Sequence, residues 1–238
     1  MRRIFIGDIQ GCLAQLDALL ARIGVRDSDQ VFCVGDLVNR GPNSLGVLRR
    51  MRDIGATSVL GNHDLALLEL GASPRRGALP PALEAVLQAP DCPRQLDWLA
   101  RQPVLHVDDD LVLVHAGLHP DWAALDVLST TLNTAVPRHV SGARDARIEF
   151  ATQVRYCDAA GHRPSRDEPP PPPPYRPWDD WYDGDRIVVF GHWARRGLVN
   201  GPRVRGLDTG CVYGGRLTAW IEQEDRFVQV AGWSAPDS

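Results

Sequence analysis

Val59-Leu60-Gly61-Asn62-His63-Asp64 is the stretch that decides how this chain is read. A short apolar run stops at a glycine, and three polar side chains follow. That is the pattern of a buried strand breaking into a turn at its C-terminal end. Two earlier segments share it, Ile4-Phe5-Ile6-Gly7-Asp8-Ile9-Gln10-Gly11 and Val31-Phe32-Cys33-Val34-Gly35-Asp36. Two later ones repeat it with histidine, Leu111-Val112-Leu113-Val114-His115 and Ile187-Val188-Val189-Phe190-Gly191-His192. Open α/β sheets build their ligand sites at strand ends, and here five strands each deliver Asp, Asn or His there.

Working outward, Leu13, Leu16, Leu19, Leu20 and Ile23 fall at helical spacing, predicting a helix over 12–23. Asn43 or Ser44 can cap a helix bearing Leu45, Val47, Leu48 and Met51, and Asp64 opens one through Leu70. The β-α-β-α-β-α order predicts an α/β sheet with right-handed crossovers. The spacing from Asp8 to Asp36 to Asn62 leaves room each time for one helix and a returning strand, so the three can meet at one sheet edge.

Residues 71–81 read as a loop, and 82–88, 93–101, 121–134 and 144–155 as helices. Strands near 103–107 and 111–115 form a hairpin across Asp108-Asp109-Asp110, whose acidic run is read as solvated turn residues. Pro169 to Pro174 is unbroken and reads as an exposed polyproline-type loop. Strands at 186–191, 203–208, 216–222 and 226–231 are expected to run antiparallel, their C-terminal meander giving a second sheet. With no dividing linker, 1–238 reads as a single domain carrying a short cap-like insertion at about 118–185.

The 238 residues are 44% hydrophobic with a net charge of -4, enough for a full core and without the basic footprint of a nucleic-acid binder. All 26 basic residues are Arg, so lysine Schiff-base and P-loop chemistry are excluded. Five cysteines, none in a C-x-x-C pair, are expected as free thiols in a reducing compartment. No signal-peptide apolar region and no membrane-length run is present. The expectation is a cytoplasmic protein with no membrane or nucleic-acid partner; the residues leave its oligomeric state open.

Asp8, Gln10, Asp36, Asn62, His63, His115 and His192 offer carboxylate, amide and imidazole donors, a set suited to hard-to-borderline divalent ions. They are too many for one tetrahedral ion but suit two ions sharing a bridging Asp. Such a pair clamps an in-line displacement at phosphorus and lowers the pKa of a bridging water. His106, His119, His139 and His162 are read as surface or structural histidines.

Gly7-Asp8-Ile9-Gln10-Gly11, Gly35-Asp36-Leu37-Val38-Asn39-Arg40-Gly41 and Gly61-Asn62-His63-Asp64 resemble the signature of phosphoprotein-phosphatase-type, calcineurin-like metallophosphoesterases. Within that superfamily the chain is similar to the symmetrical diadenosine tetraphosphatases, through Gly41-Pro42-Asn43-Ser44-Leu45, Trp98-Leu99-Ala100-Arg101-Gln102-Pro103, His115-Ala116-Gly117 and the stretch Leu207 to Thr218. The resemblance implies a sandwich of two mixed sheets flanked by helices. It also implies two divalent metal ions, Mn first with Co, Fe, Zn and Mg as alternatives, and a small nucleotide substrate. Asp8 and Gln10 would bind the first ion, Asp36 would bridge, and Asn62, His115 and His192 would hold the second. His63 would act as general acid with Asp64 orienting it, and Arg40 and Arg155 would grip phosphate oxygens.

Three departures stand out: Gln10 where His is common, Tyr213 where Trp is usual, and a short stretch between His115 and Arg147. The implied activity is hydrolysis of a phosphoanhydride, splitting diadenosine tetraphosphate into two ADP. The competing reading is a serine/threonine protein phosphatase using the same di-metal site. The short cap favours it; the 207–218 motif and Asp64, where protein phosphatases of the eukaryotic type carry Glu, weigh against it. A scaffold with a dead metal site is disfavoured because every ligand position holds a competent residue.

Overall fold

The computed structural model describes residues 1–73 and 79–234. Strand β1 (Arg3–Ile6), helix α1 (Leu13–Ile23), β2 (Gln30–Cys33), α2 (Ser44–Asp53), β3 (Thr57–Ser58) and α3 (Asn62–Ala72) alternate as the pattern of apolar residues predicts. Asn43 caps α2 by accepting from the Gly46 N–H at 2.8 Å. Of the expected loop 71–81, residues 74–78 lie outside the described residues, and α3 continues to Ala72. Helices α4 (Pro81–Leu87) and α5 (Cys92–Ala100) lead into the expected hairpin, β4 (Leu105–Val107) and β5 (Leu111–Val114). The acidic turn between them is tied down by Arg3, whose guanidinium reaches Asp110 at 2.8 Å and Asp108 at 3.4 Å.

Next come α6 (Leu125–Val140), α7 (Ala146–Gln153), and the short strands β6 (Tyr156–Cys157) and β7 (Arg176–Pro177). Helix α6 starts and ends later than the 121–134 expected for it. Ala124, left-handed at φ 50°, delays its start, and Pro137 is absorbed in its last turns, where the missing N–H removes one hydrogen bond without ending the helix. The proline run 169–174 forms no helix or strand. The chain closes with β8 (Ile187–Phe190), β9 (Val199–Asn200), β10 (Val204–Gly206), β11 (Arg216–Ile221) and β12 (Arg226–Ala231).

Ten of these strands form two mixed five-stranded sheets flanked by helices, in the orders β12-β11-β1-β2-β3 and β4-β5-β8-β10-β9, and β6 pairs with β7 apart from them. Two strand expectations are corrected. β10 pairs parallel with β8, and the β11–β12 hairpin joins the first sheet, antiparallel to β1. Hydrophobic alternation decides the face of a strand but not its neighbour, which long-range packing selects.

The period-two pattern then assigns the two faces. Phe5, Phe32 and Trp220 of the first sheet meet Leu111, Leu113 and Val189 of the second in an inter-sheet core, with Phe5 stacked on Phe32 at 5.0 Å. Ile4, Ile6, Val112, Val114, Val188 and Phe190 point the other way, into the core beneath the helices. All five cysteines are buried, and among the described residues none forms a disulfide. No helix among the described residues is long and apolar enough to cross a membrane.

Candidate active site

Strands β1, β2 and β3 are mutually parallel, and so are β5, β8 and β10. Their C-terminal ends bring Asp8, Asp36, Asn62, His115 and His192 together from two sheets. The atoms are pinned individually. The His192 N–H donates to Asp8 Oδ1 and Oδ2 at 3.1 and 3.2 Å, and the His63 N–H donates to Asp36 Oδ1 at 2.9 Å. Gln10 Nε2 donates to Asp36 Oδ2 at 3.1 Å, which leaves its amide oxygen as the donor atom for a cation.

His115 supplies the test of whether a cation fits. Its Nδ1 lies 2.8 Å from the Val34 carbonyl, a pure acceptor, so the proton sits on Nδ1 and Nε2 carries a lone pair. That lone pair faces Asn62 Oδ1 at 3.2 Å and Asp36 Oδ1 at 3.5 Å. Electron-rich atoms that converge with no proton between them call for positive charge. His192 Nε2, buried and without a hydrogen-bond partner, belongs to the same cluster, since ligand atoms of Asp36, His115 and His192 all lie within 4.8 Å of one another. The donor set fits divalent ions.

The backbone is bent to make this convergence. Gln10, Asp36, Asn39, Arg40 and His192 hold φ values of 44°, 51°, 77°, 62° and 67°, in the left-handed region that non-glycine residues seldom enter. Each costs on the order of 1–3 kcal/mol, strain that the surrounding packing must hold in place. Two glycines make the close approaches possible: a Cβ on Gly61 would strike the Asp36 carboxylate, and one on Gly191 the Asp8 carboxylate.

His63 opens α3 with Nε2 3.8 Å from Asp36 Oδ2, directed at the cluster. The orienting partner expected for it is Asp64, whose bonds in the structure run to backbone. Asp64 accepts from the Leu37 and Gly61 N–H groups, both at 3.0 Å, so its carboxylate ties the motif loops together. Asn39 is the side chain against the His63 ring, its Nδ2 lying 2.8 Å from His63 Nδ1 while its Oδ1 accepts the Arg40 N–H at 2.9 Å. Asn39 lies in the second motif, remote from His63 in sequence, so only the folded loops reveal the contact.

Residues 1–196 match the model of the calcineurin-like phosphoesterase family. The chain belongs to that family. Among relatives, it is 37% identical over 271 residues to a symmetrical bis(5'-nucleosyl)-tetraphosphatase of Pectobacterium carotovorum subsp. carotovorum, covering 99% of this chain and 96% of the relative. The protein of the same name in Bordetella pertussis is 38% identical over 259 residues, covering 94% of each chain. A crystal structure described as "a putative diadenosine tetraphosphatase" superposes with a TM-score of 0.76 at 33% identity, covering 98% of this chain and 95% of that one.

Around the cluster this phosphoesterase crowds buried carboxylates. Burial, then the charges of Asp208 and Asp36, pushes Asp8 well above the ordinary carboxylate range. Burial likewise pushes Asp64 up to about 8 and Asp208 up to about 7, while it pulls His63 and His192 down. Carboxylates disfavoured as free anions in this way take up a proton or another cation readily, and the neutral imidazoles keep their lone pairs.

The cluster forms the floor of a cleft of about 960 Å³, whose lining includes Arg40, Arg155, Arg166 and Arg195. Arg155 lies just after α7, with Nη1 3.1 Å from Asp167 and Nη2 3.5 Å from the His192 carbonyl. Arg195 pairs with Glu168. Arg166, Arg195 and Asp208 were not singled out from sequence. For Asp208 the signal existed, since Val204-Arg205-Gly206-Leu207-Asp208 repeats the strand-then-carboxylate pattern with Arg205 interrupting the apolar run. For the two arginines there was none.

Proposed function

We propose that this phosphoesterase cleaves diadenosine tetraphosphate symmetrically, releasing two molecules of ADP. The observation that carries the reading is the cleft, where the acceptor cluster runs on into four arginines. It occurs in a chain matched almost end to end by relatives named for this activity. A polyphosphate needs cationic contacts on both sides of the phosphorus attacked, and guanidinium forks match its oxygens.

In this reading Asp8, Gln10, Asp36, Asn62, His115 and His192 hold two divalent ions, with Asp36 between them. Manganese suits a set rich in carboxylate and amide oxygen. When bound, the ions supply charge against the phosphoryl oxygens and make a water acidic enough to ionise near neutral pH. Burial lowers the proton affinity of His63 in the free protein, and the polyphosphate bound beside it supplies the negative charge that restores it. The imidazolium then passes its Nε2 proton to the bridging oxygen as ADP leaves, with Asn39 beside Nδ1. Arg40 and Arg155 stabilise the charge that develops on the phosphoryl group, and Asp64 keeps the loops bearing Asp36 and His63 in register. Residues 118–185 act as a short cap, from which Arg155, Arg166, Asp167 and Glu168 reach the cleft. Buried cysteines outside any disulfide favour a cytoplasmic setting.

The test is product analysis of diadenosine tetraphosphate incubated with Mn-loaded protein, with a phosphopeptide assayed alongside. ADP as sole product, with far slower peptide hydrolysis, is expected. ATP with AMP would overturn the symmetry of cleavage. Phosphate released from the peptide with the dinucleotide intact would make this a protein phosphatase.

A further inference from the structure

Tyr213 sits at the mouth of the cleft with 59% of the residue exposed, among the few large apolar side chains left so open. Its position is fixed. It ends a 3-10 turn, Cys211–Tyr213, between Gly210 and Gly214, which are left-handed at φ 73° and 80°. Cys211 and Val212 are buried beneath it, and the Trp233 N–H donates to the Cys211 carbonyl at 2.8 Å, clamping the turn to the chain end.

Among the described residues its phenol oxygen has no hydrogen-bond partner, and the ring lies under the Arg40 guanidinium, 5.5 Å from the ring centroid. Arg40 in turn places Nε 3.4 Å from His63 Nε2. Tyr213 therefore stands one guanidinium away from the proposed general acid, the group that would protonate the leaving oxygen.

We propose that Tyr213 is the nucleobase platform of this site, stacking on the base of the leaving nucleoside diphosphate and so selecting a nucleotide over a phosphorylated peptide. The inference rests on the dinucleotide reading and adds to it the residue that recognises the base. A rigid, exposed aromatic ring beside a phosphate-gripping arginine matches the two ends of a nucleotide, a flat heteroaromatic base and a polyanion. A phosphoserine side chain offers no flat group to meet such a ring.

The experiment is calorimetric titration of the Mn-loaded protein with ADP, UDP and inorganic phosphate, for wild type, Tyr213→Ala, Tyr213→Phe and Tyr213→Trp. In Tyr213→Ala the Kd for ADP is expected to rise roughly 5- to 100-fold, the usual worth of one stacked base. The Kd for phosphate should stay constant and the preference for ADP over UDP should shrink. Phe and Trp should preserve ADP binding. Equal loss of ADP and phosphate in Tyr213→Ala would reduce the ring to a support for Arg40 and overturn the proposal, as would unchanged ADP binding. Wild-type protein that neither binds ADP nor releases it from the dinucleotide would defeat the dinucleotide reading itself. Release of ADP by wild type, with ADP binding intact in Tyr213→Ala, would defeat this inference alone.

Discussion

Replacing Gly191 by alanine drives a methyl group into Asp8 Oδ1 and to within 2.5 Å of Val34 Cγ2. The Asp8 carboxylate has little room to yield, because it is buried and accepts the His192 N–H through both oxygens. Overpacking of this kind costs about 1–3 kcal/mol. For a chain of this size each kcal/mol lowers Tm by about 2–4 °C, so a drop of about 2–12 °C is expected. The carboxylate must also move away from the cluster, which predicts weaker Mn binding in calorimetry of the metal-stripped protein. Gly55→Ala is the control: Gly55 is left-handed at φ 66° with nothing within 4 Å, so it loses stability to backbone strain and keeps its metal affinity. Gly191→Ala protein with wild-type Tm and wild-type Mn affinity would refute the placement of Asp8 as a crowded metal ligand.

Asp36→Asn is expected to lose metal and activity together, as measured by bound Mn per chain beside turnover of the dinucleotide. His63→Ala should keep its metal and lose about 10²–10⁴-fold in turnover; unchanged turnover would remove His63 from the mechanism. His139 predicts a pH effect on stability. It is buried at 1% exposure, accepts the Asp145 N–H at Nδ1 at 3.0 Å, and is held below the ordinary histidine pKa by burial and then by the Arg144 charge. The unfolded chain therefore takes up this proton first. Its contribution is complete above the unfolded pKa of about 6.5 and is lost as pH falls through it. The raised carboxylates Asp64 and Asp208 act with the opposite sign, so the difference in urea midpoint between wild type and His139→Gln isolates the term. That difference should shrink from pH 7.5 to 5.5, and a constant difference would contradict it.

Much of this protein was legible in its sequence because its site is written in local grammar. An apolar run followed by Gly-Asp, Gly-Asn-His or His is both a strand end and a set of ligands, so reading the strands located Asp8, Asp36, Asn62, His115 and His192 at once. The helices were equally readable from apolar spacing, with α6 misjudged at Pro137 because packing of its buried face outweighed one lost hydrogen bond. Asp208 repeats the same pattern in weaker form.

The sequence by itself determined which side chains stand at strand ends and that their donor atoms suit cations, because both follow from residues adjacent in the chain. Only the tertiary structure decided which strands are neighbours. It made β10 parallel to β8 and sent β11 and β12 to the first sheet. It likewise put Asn39, and not Asp64, against His63 Nδ1, and brought Arg166, Arg195 and Tyr213 to one cleft. The physical reason is common to all of these. A side chain's face and chemistry follow from its immediate neighbours, whereas its partner across space is selected by the packing of the whole chain.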